Sequence, residues 1–252
     1  MRFASLGSGS KGNATLVQAG ETSVMVDCGF SLKETEARLS RYGLQASELD
    51  AILITHEHGD HIRGAGPLSR KYNIPLWMTR GTHSKATLGK LPALNFLDVD
   101  QQFRVKDLAI QPYPVPHDAR EPCQFVFRQG QHRLGMLTDA GMITPHIETQ
   151  LEACDALLLE CNHDELMLEQ GPYHRSLKQR VASRLGHLSN KQTAALLAKL
   201  KHAGLKHLVI AHISEQNNTQ ALACDALVEA ADCDRDWIIF ASQEQGFDWC
   251  EI

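Results

Sequence analysis

The segment Thr55-His56-Glu57-His58-Gly59-Asp60-His61 gathers three imidazoles and an aspartate within six residues, directly after a compact apolar run at 51–54. Imidazole and carboxylate are the ligands of zinc and neighbouring divalent ions, and packing gives no ordinary reason to concentrate them at a strand end. Gly59 lets the backbone turn tightly between them. Three other segments share this grammar of a strand, a ligand-type residue and a turn: Val115-Pro116-His117-Asp118, Leu137-Thr138-Asp139-Ala140-Gly141 and Ile210-Ala211-His212-Ile213. Each alone reads equally as an ordinary turn. Together they supply what a metal centre built on the first segment lacks.

Two further stretches could meet an anion. The loop from Gly7 to Asn13, with Ser10, Lys11 and Asn13, offers backbone N–H groups and an ammonium to a phosphate, or it is a tight strand connection. His174, Arg175, Lys178, Arg180 and Arg184 form the densest positive stretch. Leu177, Val181 and Leu185 fall at i, i+4 and i+8, so one helix face is apolar and Arg180 and Arg184 project together from another. That face is either solvated or a phosphate contact.

The elements that must position these residues follow from periodicity and turn residues. Strands are expected at 3–6, 15–18, 23–26, 51–54, 75–78, 95–99, 108–115, 123–128, 133–137, 156–160, 207–210 and 237–240. Helices are expected at 31–42, 66–72, 82–89, 145–151, 177–185, 190–202 and 220–231, with Ser189 and Asn190 capping one of them and Gly204 just beyond its end. Two successive sets of strands, each followed by helices, predict two packed sheets with helices outside, a four-layer α/β/β/α sandwich. No repeat or linker marks a boundary, so 1–252 is read as one domain.

Composition narrows the function. The chain has 252 residues, 43% hydrophobic and 22% charged, enough for a substantial core. Its formal charge of −5 repels a polyanion overall, so any nucleic-acid binding must rest on local basic patches. No apolar run approaches the roughly 20 residues of a membrane-spanning helix, and Met1 to Gly7 lacks a signal-peptide layout. A cytoplasmic protein is expected. The seven cysteines (28, 123, 154, 161, 224, 233 and 250) form no C-x-x-C pair and read as reduced thiols in a cytosolic core.

On these motifs the sequence resembles the metallo-β-lactamase superfamily, whose five ordered motifs run across almost the whole chain. Asp27 matches the first, the H-x-H-x-D-H segment the second, and His117, Asp139 and His212 the third to fifth. The resemblance implies two divalent metal ions, zinc or manganese: one on His56, His58 and His117, the other on Asp60, His61 and His212, with Asp139 bridging. Asp27 would orient the cluster from behind. His58 stands where the oxygen-reducing diiron branch carries glutamate, which points to hydrolysis.

Gly7 to Asn13, Leu159-Glu160-Cys161-Asn162-His163-Asp164 and Gly186-His187-Leu188-Ser189-Asn190 further resemble the YycJ (WalJ) group, which is associated with exonuclease activity on DNA. Cys161 departs from that pattern, where a small serine-like residue is expected. Nuclease branches pair an acidic residue near Glu160 with a distant histidine. His187 is the first candidate for it and His163 the second, the other reading being that Glu160 and His187 merely cap neighbouring backbone. A carboxylate behind an imidazole fixes its tautomer and favours its protonated form, as a leaving-group acid requires. The implied function is a phosphodiesterase, a DNA exonuclease, in which hydroxide shared by the metals attacks phosphorus, Asp60 helps orient it, and Ser10, Lys11, Asn13, Arg180 and Arg184 hold the substrate. A thioesterase or lactonase of the glyoxalase II kind, or a non-catalytic metal-binding scaffold, is the alternative.

Overall fold

The chain begins as a meander in which β1 (Arg2–Gly7), β2 (Ala14–Ala19) and β3 (Thr22–Val26) pair antiparallel in order. Helix α1 (Leu32–Arg41), whose Glu34 N–H donates to the Ser31 hydroxyl, crosses to β4 (Ala51–Leu53), which joins β3 in parallel. The short α2 (Gly59–Ile62) and α3 (Ala65–Tyr72) lead to β5 (Leu76–Met78), and α4 (Arg80–Lys85) leads to β6 (Leu94–Phe96), both parallel additions.

The second sheet repeats the plan. β7 (Phe103–Val105), β8 (Leu108–Pro114), β9 (Cys123–Gln129) and β10 (His132–Leu137) form an antiparallel meander. Through α5 (Pro145–Leu151) the chain enters β11 (Ala156–Glu160), then α6 (Glu165–Gln170), α7 (Arg175–Val181), α8 (Asn190–Leu200), β12 (His207–Ala211), α9 (Gln220–Ala231) and β13 (Ile238–Phe240). β10 to β13 pair in parallel, as helical crossovers demand. Finally β14 (Phe247–Glu251) returns to the first sheet and pairs antiparallel with β1. The structure, a computed structural model, describes residues 1–252.

Both sheets have seven strands. Their layering is visible in three separate apolar clusters. Phe3, Val24, Leu53, Phe125, Phe127 and Leu158 belong to the one between the sheets. Leu159, Ile210, Leu196, Leu197 and Leu227 pack the second sheet against α8 and α9, and Met25, Ile52, Leu39 and Leu68 pack the first against α1 and α3. With both faces covered, the central strands read as continuous apolar runs, as Ala156-Leu-Leu-Leu-Glu160 does, every residue buried. The four-layer sandwich expected from pattern is the fold observed. No helix is long and apolar enough to cross a membrane.

Two expected helices need correction. The helix at 177–185 runs instead from Arg175 to Val181. Beyond it the Val181 carbonyl accepts from the His187 N–H and the Ser183 carbonyl from Gly186, so the backbone folds into a tight turn. Gly186 is required there: a Cβ would lie 2.1 Å from the Val181 carbonyl oxygen. Arg180 and Arg184 therefore do not share a helix face. Likewise the helix expected at 82–89 stops at Lys85, and strands β7 and β14 and helix α6 have no counterpart in the sequence reading.

Candidate metal centre and active site

The residues singled out by motif stand at the C-terminal ends of their strands: Asp27 after β3, His56 after β4, His117 after β8, Asp139 after β10, Glu160 closing β11 and His212 after β12. Strand ends at one rim are where open α/β sheets place ligands. Three of these residues leave their strands in the left-handed backbone region: Asp27 (φ 61°), Asp139 (φ 56°) and His212 (φ 53°). Such conformations are costly for non-glycine residues and cluster at functional sites.

Nδ1 of His56, His61, His117 and His212 is in each case engaged by an outer partner. Asp27 receives the Thr55 N–H at 2.9 Å, the Thr55 hydroxyl and, at 2.8 Å, the His61 Nδ1–H. The same hydroxyl oxygen accepts from His56 Nδ1 at 2.9 Å. His117 Nδ1 donates to the Gly186 carbonyl at 3.1 Å, and His212 Nδ1 to Glu160 Oε1 at 2.9 Å. Thus Nε2 of His56, His117 and His212 is left for another partner, the arrangement that outer hydrogen bonds impose on metal-binding imidazoles, while Nε2 of His61 lies 3.1 Å from Asn13 Nδ2.

These free nitrogens converge. His58 Nδ1 lies 3.0 Å from His56 Nε2 and 3.3 Å from His117 Nε2. Potential ligand atoms fall into close groups: His56, His58 and His117; Asp60, His61 and His212; His56, His61 and Asp139. Asp139 belongs to the last and also to a group with Glu160, His187 and His212, which places it centrally. Its Oδ2 and the Nε2 of His212 are buried without a hydrogen-bond partner. Leaving such atoms unsatisfied costs roughly 1–3 kcal/mol each. Divalent cations would satisfy them, so the donor set fits the metals that the sequence implies.

The charges agree. Burial disfavours charge on His61 and His212, yet surrounding carboxylates, Asp139 foremost, lift His61 well above the usual imidazole value and His212 to about 10. Burial and its imidazole neighbours push His56 far down, which keeps its lone pair available.

The acidic and basic partners beyond the ligands are also in place. His187 Nδ1–H donates to Glu160 Oε1 at 2.7 Å. Glu160 is fully buried, and its other oxygen accepts the Ala140 and Leu188 N–H groups at 3.2 Å. Burial alone would raise its pKa, but His187 and His212 hold it well below the carboxylate range. Burial opposes charge on His187, and Glu160 outweighs it, raising the ring above its ordinary value. His187 lines a cavity of about 380 Å³ together with His58, Asp60, Asp139 and His212.

The other sequence candidates separate. Ser10 and Arg180 line that cavity. Lys11 is exposed and pairs with Glu215 at 2.8 Å, while Arg184 Nε turns to the Met142 sulfur, so neither is brought into the cavity. Asn13 is buried behind the ligands: its Oδ1 accepts the Gly9 N–H at 2.8 Å, its Nδ2 lies 3.4 Å from Asp60 Oδ2, and its backbone N–H donates to the Asp60 carbonyl. There the glycine-serine loop clamps the ligand turn, and Gly29 completes the clamp, since a Cβ would sit 1.7 Å from the Asp60 carbonyl oxygen. His163 is buried with Nδ1 unpartnered and makes no hydrogen bond to Glu160.

Sequence reasoning overlooked Thr55, Asp118 and Tyr173. Thr55 joins Asp27 to His56, and its place directly before the first histidine was the available signal. Asp118 follows His117 in a segment already suspect and pairs with Arg180. Nothing local marked Tyr173, which lines the cavity.

An αββα sandwich with histidines and aspartates converging at one rim defines a hydrolase of the metallo-β-lactamase fold. The profile described as "Beta-lactamase superfamily domain" matches residues 22–213, and the chain belongs to that superfamily. It is similar to exodeoxyribonuclease YycJ of Bacillus anthracis, 35% identical over 233 residues, covering 88% of this chain and 86% of the relative. It is also similar to exodeoxyribonuclease WalJ of Streptococcus pneumoniae, 34% identical over 228 residues, covering 88% and 85%. Among solved structures, the metallo-β-lactamase fold protein YhfI of Bacillus subtilis superposes with a TM-score of 0.75 at 19% identity over 99% of both chains, a likeness of fold.

Proposed function

We propose that this chain, acting as one domain over residues 1–252, is a metal-dependent phosphodiesterase that degrades DNA from an end. The observation that carries the reading is the Glu160–His187 pair, a buried carboxylate holding an imidazole that lines the cavity beside the ligand cluster. Thioester hydrolysis needs no such acid, because a thiolate departs readily. A sugar alkoxide does need it. The names of the relatives over most of the chain support DNA as the substrate.

In this reading His56, His58 and His117 hold one divalent ion, zinc or manganese, and Asp60, His61 and His212 a second, with Asp139 between them. Such ions activate water at neutral pH and neutralise charge on the phosphate oxygens. Thr55 and Asp27 keep His56 and His61 in the tautomer that offers Nε2. Asp60, lining the cavity, orients the attacking water. His187 gives its Nε2 proton to the departing sugar oxygen while Glu160 holds Nδ1–H.

The test is digestion of end-labelled DNA, with bis(p-nitrophenyl) phosphate and a thioester in parallel, before and after chelation. Stepwise shortening that chelator stops and added zinc or manganese restores is expected. Thioester hydrolysis with DNA left intact would refute the reading.

Arg180 is the cation placed to meet a flanking phosphate, although Asp118 neutralises part of its charge. Arg180→Ala should raise KM for DNA and reduce the slope of log affinity against log salt by about 0.7–0.9, one phosphate contact. Arg184→Ala, outside the cavity, should leave that slope unchanged. Equal slopes for wild type and Arg180→Ala would make Arg180 ordinary solvated surface.

A further inference from the structure

The cavity that His187 lines is bordered by two chemically different sets of residues. One comprises the ligand-type residues. The other is built by Tyr173, Leu177 and Val181, spaced four residues apart, with Arg180 beside them. None of these three side chains belongs to the apolar clusters that hold the layers together. Leu177 is 37% exposed, and Val181 is the one buried residue of its helix. An aromatic ring and an aliphatic side chain thus line a cavity whose remaining lining is mostly polar, Tyr173 half-buried and Leu177 exposed. In the phosphodiesterase reading the metal ligands and His187 would receive the scissile phosphate, and Arg180, which also lines the cavity, a second one. What still needs a partner is a flat apolar surface next to a phosphodiester, which is the face of a nucleobase one sugar away. The cavity volume, near the lower end of the roughly 300–1,000 Å³ of ligand pockets, suits a single nucleotide unit.

We propose that Tyr173 and Leu177 form a shelf on which the base of the nucleotide being removed stacks. The inference rests on the phosphodiesterase reading and adds to it the group recognised. Every base has a π-face, so the shelf selects nucleotides over simple phosphodiesters without selecting sequence. It also implies that the terminal base leaves its complementary partner to enter.

The test compares two oligonucleotides, one natural and one with an abasic residue at the end where digestion begins, using wild type, Tyr173→Ala and Tyr173→Phe. Removing the base from the substrate should lower kcat/KM of wild type by ~5- to 150-fold, the usual worth of one stacked base. Tyr173→Ala should lose a similar factor on the natural end, and the two losses together should scarcely exceed either alone, because both remove the same contact. Tyr173→Phe should retain the natural rate, and the four terminal bases should differ only by a few fold. Losses that multiply independently, a natural rate unchanged in Tyr173→Ala, or Tyr173→Phe as impaired as alanine would each overturn the shelf while leaving the nuclease reading in place. If wild type cleaves bis(p-nitrophenyl) phosphate but neither oligonucleotide, the nuclease reading falls first, and the shelf with it.

Discussion

His187→Ala should slow turnover on DNA by roughly 10²- to 10⁴-fold, the usual contribution of a positioned general acid. The expectation rests on geometry: Nδ1 is held by Glu160 at 2.7 Å, and the ring lines the cavity. Because the role is protonation of a poor leaving group, hydrolysis of bis(p-nitrophenyl) phosphate, whose nitrophenolate departs unaided, should fall far less. Metal content should stay at the wild-type level, since removing His187 leaves Glu160 bonded to His212. Glu160→Gln is not equivalent. The same oxygen that holds His187 also holds His212, so this substitution should both cost the acid and weaken metal binding by about 10- to 100-fold, as loss of an outer partner to a ligand does. Kinetics on both substrates with metal analysis of each variant separates these effects. Equal loss on the two substrates in His187→Ala would mean that the ring maintains the site and donates no proton.

The parts of this site that were legible in sequence are those encoded locally. H-x-H-x-D-H is contiguous, and His117, Asp139 and His212 each end an apolar strand, so residue type and position coincide. Glu160 and His187 are 27 residues apart and meet only because α7 stops at Val181 and the Gly186 turn brings the chain back. The apolar spacing of Leu177, Val181 and Leu185 suggested a longer helix, but Leu185 is 51% exposed and lies beyond the helix. That error joined Arg184 to Arg180 when only Arg180 reaches the cavity. Lys11 illustrates the same limit. Its role was inferred from neighbours in the loop, whereas its partner, Glu215, lies 204 residues away. Strand β14 was missed because its identity depends on β1, at the other end of the chain, more than on its own composition. The layered fold survived these misses because it follows from many apolar runs at once, no single one of which decides it.

Asp139 offers the sharpest test of the centre as a unit. Its Oδ2 lies 3.5 Å from His61 Nε2 and its Oδ1 3.5 Å from His212 Nδ1, and it shares a ligand group with His56 on the opposite side. Burial would raise its pKa, but His212 and His61 keep it below the ordinary carboxylate value, so it is present as an anion where two cations would otherwise repel each other. Replacement should therefore disturb both metals together. Asparagine is the better variant: it keeps the shape and tolerates the left-handed backbone at this position, where alanine would add a cost of about 1–2 kcal/mol unrelated to metal. Wild-type protein prepared without chelator should carry close to two equivalents of zinc or manganese. Asp139→Asn should lose most of both and all measurable turnover while remaining folded by circular dichroism. His117→Ala should chiefly empty the site shared with His56 and His58, and His212→Ala the site shared with Asp60 and His61. If Asp139→Asn instead gives up one equivalent and keeps the other at wild-type affinity, Asp139 belongs to a single site and the bridging role is wrong. If wild type itself carries no metal under these conditions, the converging imidazoles have another purpose, and the hydrolytic reading loses its foundation.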